Sequence, residues 1–301
     1  MIIPPKLKKG DKVGIISTAR KISELEIKQA ISILTQWNLD IVFGKNLFCE
    51  ENQFAGTKQQ RIEDLQNMLD DSSIRLILCA RGGYGTVQII DNINFNNLKN
   101  SPKWIIGYSD VTVLHSHLNN LRFSSIHATM PINFHSNTRK SLQSLYNTLF
   151  CQGNSFKISS NKFNRCGQAK AELVGGNLSI IYSLLGSSSD IDTKNKILFI
   201  EDLDEYLYHI DRMVINLKRN NKFKNLKGLI VGSMKDMRDN IVPYGQNAIE
   251  IISHYTKDYD FPICFNFPSG HVNNNMALIL GVETTFEVSK SNTIVKQNIN
   301  N

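Results

Sequence analysis

Residues 75–85 read RLILCARGGYG: a short run, apolar after its first residue, stopped by an arginine and a glycine-rich turn. An apolar run of that length between breakers is a buried strand. Its neighbours have the same form. Upstream, KVGIIS (Lys12 to Ser17) is a strand run, after which Ile27, Ala30, Ile31, Leu34 and Trp37 recur at helical spacing. DIVFG (residues 40–44) reads as a short strand. Thr57 with Gln60 three residues on is a capping-box signature, opening a helix over QRIEDLQNMLDD. Downstream, WIIG (104–107) and SSIHAT (124–129) are further short runs, each followed by a turn and a helical pattern. Strands alternating with helices predict an α/β fold, a mostly parallel sheet covered on both faces. Ligands on such sheets sit beyond the carboxyl ends of the strands.

Past residue 150 the rhythm changes. Residues 151–168, CQGNSFKISSNKFNRCGQ, are polar and irregular and read as a linker or an entry loop. After it come AKAELVGG, the helical NLSIIYSLLG, the strand KILFIE, the helix LYHIDRMVINLK, the strand GLIVGS and a helix near Gln246 to Tyr255. The close is strand-rich: ALILG, TTFEV, NTIVK. Two domains are expected, residues 1–152 and 153–301, the second α+β with a small sheet or barrel.

The 301 residues carry 34 Lys and Arg against 27 Asp and Glu, a net charge of +7. The basic residues are dispersed, and the densest run, Lys218 to Lys227, lies near a helix end, where cations favour the dipole. No interleaved aromatics or nucleic-acid motif accompany it, so no nucleic-acid partner is expected. No apolar run approaches the roughly 18–20 residues of a transmembrane helix, and the first residues, MIIPPKLKKGDKVGII, lack a signal peptide's apolar core. Five scattered cysteines without a CxxC pair imply neither a disulfide framework nor a zinc site. The expectation is a cytoplasmic protein, with no membrane partner, cofactor or metal.

Three strand ends carry unusual residues. After RLILCA, consecutive glycines in RGGYG let backbone N–H groups approach an anion, although the pattern is neither GxGxxG nor a P-loop. After WIIG, Ser109 stands in a sharp turn before a helix opening at Asp110 or Val111, like a nucleophile elbow lacking its second glycine. A serine N-cap is the plain alternative. In the second half, Glu201 closes KILFIE and His271 follows Gly270 in FPSGHVNNN. A serine nucleophile needs a histidine base, and the base needs an acid to orient it. His115 and His117, two apart on a helix, share no face and make poor joint ligands.

RGGYG, the strand–GYSD–helix, AELVGGNLS, LFIEDLDE followed by HIDRM, and GHVNNN occur in the order found in the LD-carboxypeptidases. The chain resembles that family, the murein tetrapeptide carboxypeptidases and microcin C7 self-immunity serine peptidases, from KLKKGDKVGIIS to ALILGVETTF. The resemblance implies a Ser109–His271–Glu201 triad, with the backbone N–H groups of Gly83 and Asp110 as oxyanion donors. It also implies a Rossmann-like, class I amidotransferase-like first domain, a swivelling β-barrel-like second domain and a site between them. The implied activity is removal of the terminal D-alanine from murein tetrapeptide in peptidoglycan recycling, by a homodimer acting on muropeptides. Two alternatives stand beside it: the microcin-immunity branch, which cleaves an aminoacyl nucleotide, and a catalytically silent module that binds peptidoglycan fragments.

Overall fold

A computed structural model describes residues 1–151 and 153–298. The first half supplies five parallel strands, β1 (Lys12–Ile16), β2 (Asp40–Phe43), β3 (Ile74–Cys79), β4 (Trp104–Gly107) and β5 (Ser125–His127). They alternate with α1 (Glu24–Gln36), α2 (Lys58–Asp70), α3 (Thr86–Ile89), α4 (Thr112–Asn120) and α5 (Arg139–Phe150). The order across the sheet is β2-β1-β3-β4-β5. Apolar clusters cover both faces, one around Ile15, Leu78, Trp104 and Phe134, the other around Ile16, Ile77, Val111 and Leu114. Both faces being buried is why these strands read as continuous apolar runs. The Thr57–Gln60 capping box is present at α2, each side chain meeting the other residue's backbone N–H, and Ser23 with Glu26 does the same for α1.

The second half builds β6 (Gly153–Ser159), β7 (Gly167–Asn177), α6 (Leu178–Ser183), β8 (Ile197–Leu203), α7 (Leu207–Arg219) and β9 (Gly228–Lys235). There follow α8 (Ala248–Thr256), β10 (Ile263–Cys264), β11 (Leu278–Leu280), β12 (Glu283–Val288) and β13 (Asn292–Asn298). Seven of these strands form a mixed sheet in the order β10-β9-β8-β7-β12-β13-β6. β7 joins its two halves. Residues 167–172 pair antiparallel with β12, and 173–177 pair parallel with β8, which sets Asn177 beside Glu201. β11 departs from this sheet and pairs antiparallel with β5, so the chain after residue 276 contributes to both sheets.

The segment expected to be a linker or an entry loop is corrected in part: β6 occupies residues 153–159 and pairs with β13. Asn154, Phe156 and Ile158 turn inward at a period of two, while Ser155, Lys157 and Ser159 face outward. With half its residues polar and solvent-facing, this edge strand carries too little apolar character to stand out in the sequence. Gln152 lies outside the described residues. No helix among the described residues is long and apolar enough to cross a membrane.

Candidate active site

Ser109 leaves the carboxyl end of β4 with φ +62°, in the left-handed region. A non-glycine residue there costs about 1–2 kcal/mol. Tyr108, not Ser109, caps the short 3₁₀ turn Ser109–Val111 that leads into α4, and the serine hydroxyl makes no capping bond. The N-cap reading is therefore excluded, and the hydroxyl is held out at the start of a helix. Gly82 lies directly against it: a Cβ on Gly82 would come within 3.0 Å of Ser109 Cβ and 3.2 Å of Oγ. The two strand-end loops, RGGYG and GYSD, are in van der Waals contact because one of them has no side chain.

A buried carboxylate joins these loops. Asp110, 1% exposed, accepts the Thr86 N–H through Oδ2 at 2.9 Å. Burial pushes its carboxyl above the usual range, opposed by hydrogen bonds from Thr86 and the Gly85 backbone. The Gly83 N–H meets no acceptor among the described residues, and the Asp110 N–H belongs to the first turn, whose donors a helix leaves unpaired. Below the turn, His115 Nε2 donates to the Gly107 carbonyl at 2.9 Å and Nδ1 accepts from Ser125 Oγ at 2.8 Å. Burial holds its pKa down at about 4, so it supports β4 as a neutral ring.

From the other sheet, β8 delivers Glu201, fully buried, whose Oε2 accepts a 2.7 Å hydrogen bond from His271 Nδ1. A carboxylate only accepts, so Nδ1 carries the proton and Nε2 is left to act. Burial works against an imidazolium here, but the charge and hydrogen bond of Glu201, with Asp202 behind, outweigh it and hold His271 above its ordinary pKa. The fit around the carboxylate requires glycine. A Cβ on Gly270, at φ +111°, would stand 2.5 Å from Glu201 Oε2. The His271 ring packs edge-on to Tyr108, with centroids 4.8 Å apart. Ser109, Gly83 and His271 line one cleft between the sheets.

The acidic run departs from expectation. β8 does not end at Glu201 but continues to Leu203, with a register shift between Ile200 and Asp202. That irregularity lets successive residues both turn inward. Asp202 is also buried, accepts from Asn177 Nδ2 at 2.9 Å and from the Ser179 N–H at 2.8 Å, and is pushed up to about 7 by burial and by the charge of Glu201. Asp204 and Glu205 precede α7, whose N-cap position is held by Tyr206. Asp204 pairs with Arg238, and Glu205 accepts from His209 Nδ1 at 2.6 Å. Asn177, which also reaches Glu201 Oε1 at 3.4 Å, escaped the sequence reading. Its signal is that it caps α6, taking the Ile180 N–H at 3.1 Å, at a strand's carboxyl end.

A strained serine at a strand-to-helix turn, facing a buried histidine–carboxylate pair across a cleft, has the chemistry of a serine hydrolase. Comparison with known proteins agrees. Residues 13–128 match the N-terminal domain, and residues 170–286 the C-terminal domain, of the LD-carboxypeptidases. The chain is 31% identical to a probable murein peptide carboxypeptidase of Bacillus subtilis, over 98% of this chain and 95% of that one. Its fold superposes on a muramoyltetrapeptide carboxypeptidase from Oxalobacter formigenes with a TM-score of 0.87 at 21% identity, covering 96% of this chain and 99% of the other. A microcin C7 self-immunity protein superposes with a TM-score of 0.88 at 19% identity over the whole of both chains. The protein belongs to the LD-carboxypeptidase family.

Proposed function

We propose that the protein is a serine-type LD-carboxypeptidase that releases the terminal D-alanine from murein tetrapeptide, with Ser109 as nucleophile, His271 as base and Glu201 as the acid that orients it. The observation that carries this reading is the buried 2.7 Å Glu201–His271 hydrogen bond opening onto the cleft that Ser109 lines. His271 Nε2 takes the Ser109 proton as Oγ attacks the carbonyl preceding D-alanine. The charge of Glu201 stabilises the imidazolium so formed. The N–H groups of Gly83 and Asp110 hold the oxyanion, each worth about 2.7–4 kcal/mol by the measure of other oxyanion donors. His271 then protonates the departing amine, and water, activated by the same ring, releases the acyl group from Ser109.

The finer fold reading belongs to the same proposal: a Rossmann-like, amidotransferase-like first domain, supported by the β2-β1-β3-β4-β5 parallel order, and a swivelling barrel-like second domain. So do a cytoplasmic location, a homodimer and the absence of nucleic-acid binding. For the last, the support is that Lys218 and Lys222 of the densest basic run are paired with Asp258 and Asp190.

Mass spectrometry of tri-, tetra- and pentapeptide muropeptides, with an aminoacyl sulfamoyl nucleotide alongside, tests the reading. Loss of D-alanine from the tetrapeptide alone is expected. Cleavage of the nucleotide instead would favour the immunity branch, and cleavage of nothing would favour a binding module.

A further inference from the structure

The cleft has two lobes that share Ser109, Gly83, His271 and Arg20 and differ in charge. One, of about 270 Å³, adds Met130 and Ile132 from the loop after β5, with Arg81 at its margin. The other, of about 310 Å³, adds Asp202, Asp204 and Glu205. Resting on the function proposed above, we infer that Arg20 reads the α-carboxylate of the departing D-alanine, whose methyl group enters the Met130–Ile132 lobe. The diamino acid occupies the acidic lobe.

Three observations carry the inference. Arg20 lies across the oxyanion turn: a Cβ on Gly83 would come within 2.6 Å of its Cδ and 3.0 Å of its Nε. A cation in that place is next to the scissile carbonyl, and the α-carboxylate of the residue that leaves is only a few bonds away. Next, Arg20 makes no ion pair among the described residues, whereas Arg81 is turned toward Glu26 at 3.5 Å and the Lys21 carbonyl at 3.3 Å. Arg20 therefore offers a whole guanidinium fork, the geometry that carboxylates accept in bidentate fashion. Finally, the opposite lobe adds Asp202, Asp204 and Glu205, already bonded to Asn177, Arg238 and His209, and no cation of its own among the residues lining it, which leaves the anionic terminus to the Arg20 side.

The competing cation is Lys235, which lines an adjoining cavity with Tyr108, Asn133 and His271. The experiment compares kcat/KM for the tetrapeptide and for the same peptide ending in D-alaninamide, in wild type, Arg20→Gln, Arg20→Lys, Arg81→Gln and Lys235→Gln. A hydrogen-bonded charge contact corresponds to about 10- to 100-fold in kcat/KM. Wild type should prefer the free acid by that factor. Arg20→Gln should lose the preference by slowing on the acid while keeping its rate on the amide, and Arg20→Lys should recover part of it. Arg81→Gln and Lys235→Gln should keep it. An Arg20→Gln enzyme with the preference intact, or a preference lost in Lys235→Gln or Arg81→Gln instead, overturns the inference while the proposed function stands. A wild type that releases D-alanine from neither peptide overturns the proposed function, and this inference with it.

Discussion

At Ser109 the backbone conformation serves the proposed chemistry. The left-handed φ of +62° lifts the hydroxyl out of the helix it precedes. Ser109→Gly should therefore be more stable than Ser109→Ala by about 1 kcal/mol, since glycine has no Cβ to strain, and neither should hydrolyse; paired thermal or urea melts measure the difference. At the other end of the triad, Glu201→Gln keeps the shape and loses the charge. Turnover should fall by about 10³–10⁴, as for the triad acid of serine proteases. The pH profile should move with it. As the proposed base, His271 must be neutral to act, and it is held above its ordinary pKa, so kcat/KM should rise along an acid limb centred above about pH 6.5. In Glu201→Gln that limb should shift to lower pH. The same raised value means that the pair stabilises the fold fully below about pH 6.5 and progressively less as pH climbs through the folded pKa. Asp204→Asn, on a carboxylate tied to Arg238 at the surface, should change turnover less than about tenfold. A dead Asp204→Asn beside an active Glu201→Gln would reverse the assignment of the acid.

Among the elements, one of the least conspicuous contacts in the sequence fastens the nucleophile's strand. Lys103, buried just before β4, donates to the carbonyls of Met68, Leu69 and Asp71 at 2.8, 3.0 and 2.7 Å and so closes the end of α2. Lys103→Met would leave those carbonyls without their donor and should cost about 1–3 kcal/mol, read from denaturant midpoints. Nothing in SPKWIIG marks that lysine as buried, because a lysine in a loop ordinarily reads as solvated. The strands of the first half were legible for the opposite reason: two covered faces leave KVGIIS and RLILC almost purely apolar. β6, β10 and the departure of β11 to the other sheet were not. An edge strand shows one apolar face, a two-residue strand has no period, and partner choice depends on contacts distant in sequence. The triad residues stood out only together. Ser109, Glu201 and His271 each have an ordinary reading alone, and it was the family order of five motifs that grouped them. Asn177 and Asp202 sit inside two of those motifs with no role read for them, Arg20 lies outside all five, and the contacts of all three emerged from packing.

Across the whole molecule, α4 links the two sheets, because it follows the Ser109 turn and is clamped by the second sheet. Thr112 Oγ1 accepts the Asn177 N–H at 2.9 Å, and a Cβ on Gly176 would strike that hydroxyl at 2.5 Å. Asn119 Nδ2 donates to Glu172 at 2.9 Å, and Asn120 Nδ2 to the Ser188 and Asp190 carbonyls at 3.1 and 2.9 Å. Since Ser109 comes from one sheet and Glu201 and His271 from the strands and loops of the other, this contact sets the distance between the proposed nucleophile and base. Thr112→Val preserves shape and orphans the Asn177 N–H. It should cost about 1–3 kcal/mol of stability and lower kcat more than it raises KM. Equal effects on both would mean that the contact supports the fold without aligning the site.

The claim on which everything else rests is that Ser109 attacks the bond before the terminal D-alanine. The direct measurement is D-alanine release from murein tetrapeptide by wild type and Ser109→Ala, with calorimetric binding of the peptide to the variant as the folding control. Wild type should release D-alanine, and Ser109→Ala should bind the peptide without releasing it. Release by Ser109→Ala within about tenfold of wild type would contradict it, because removing the nucleophile of such a triad costs on the order of 10⁶ in kcat.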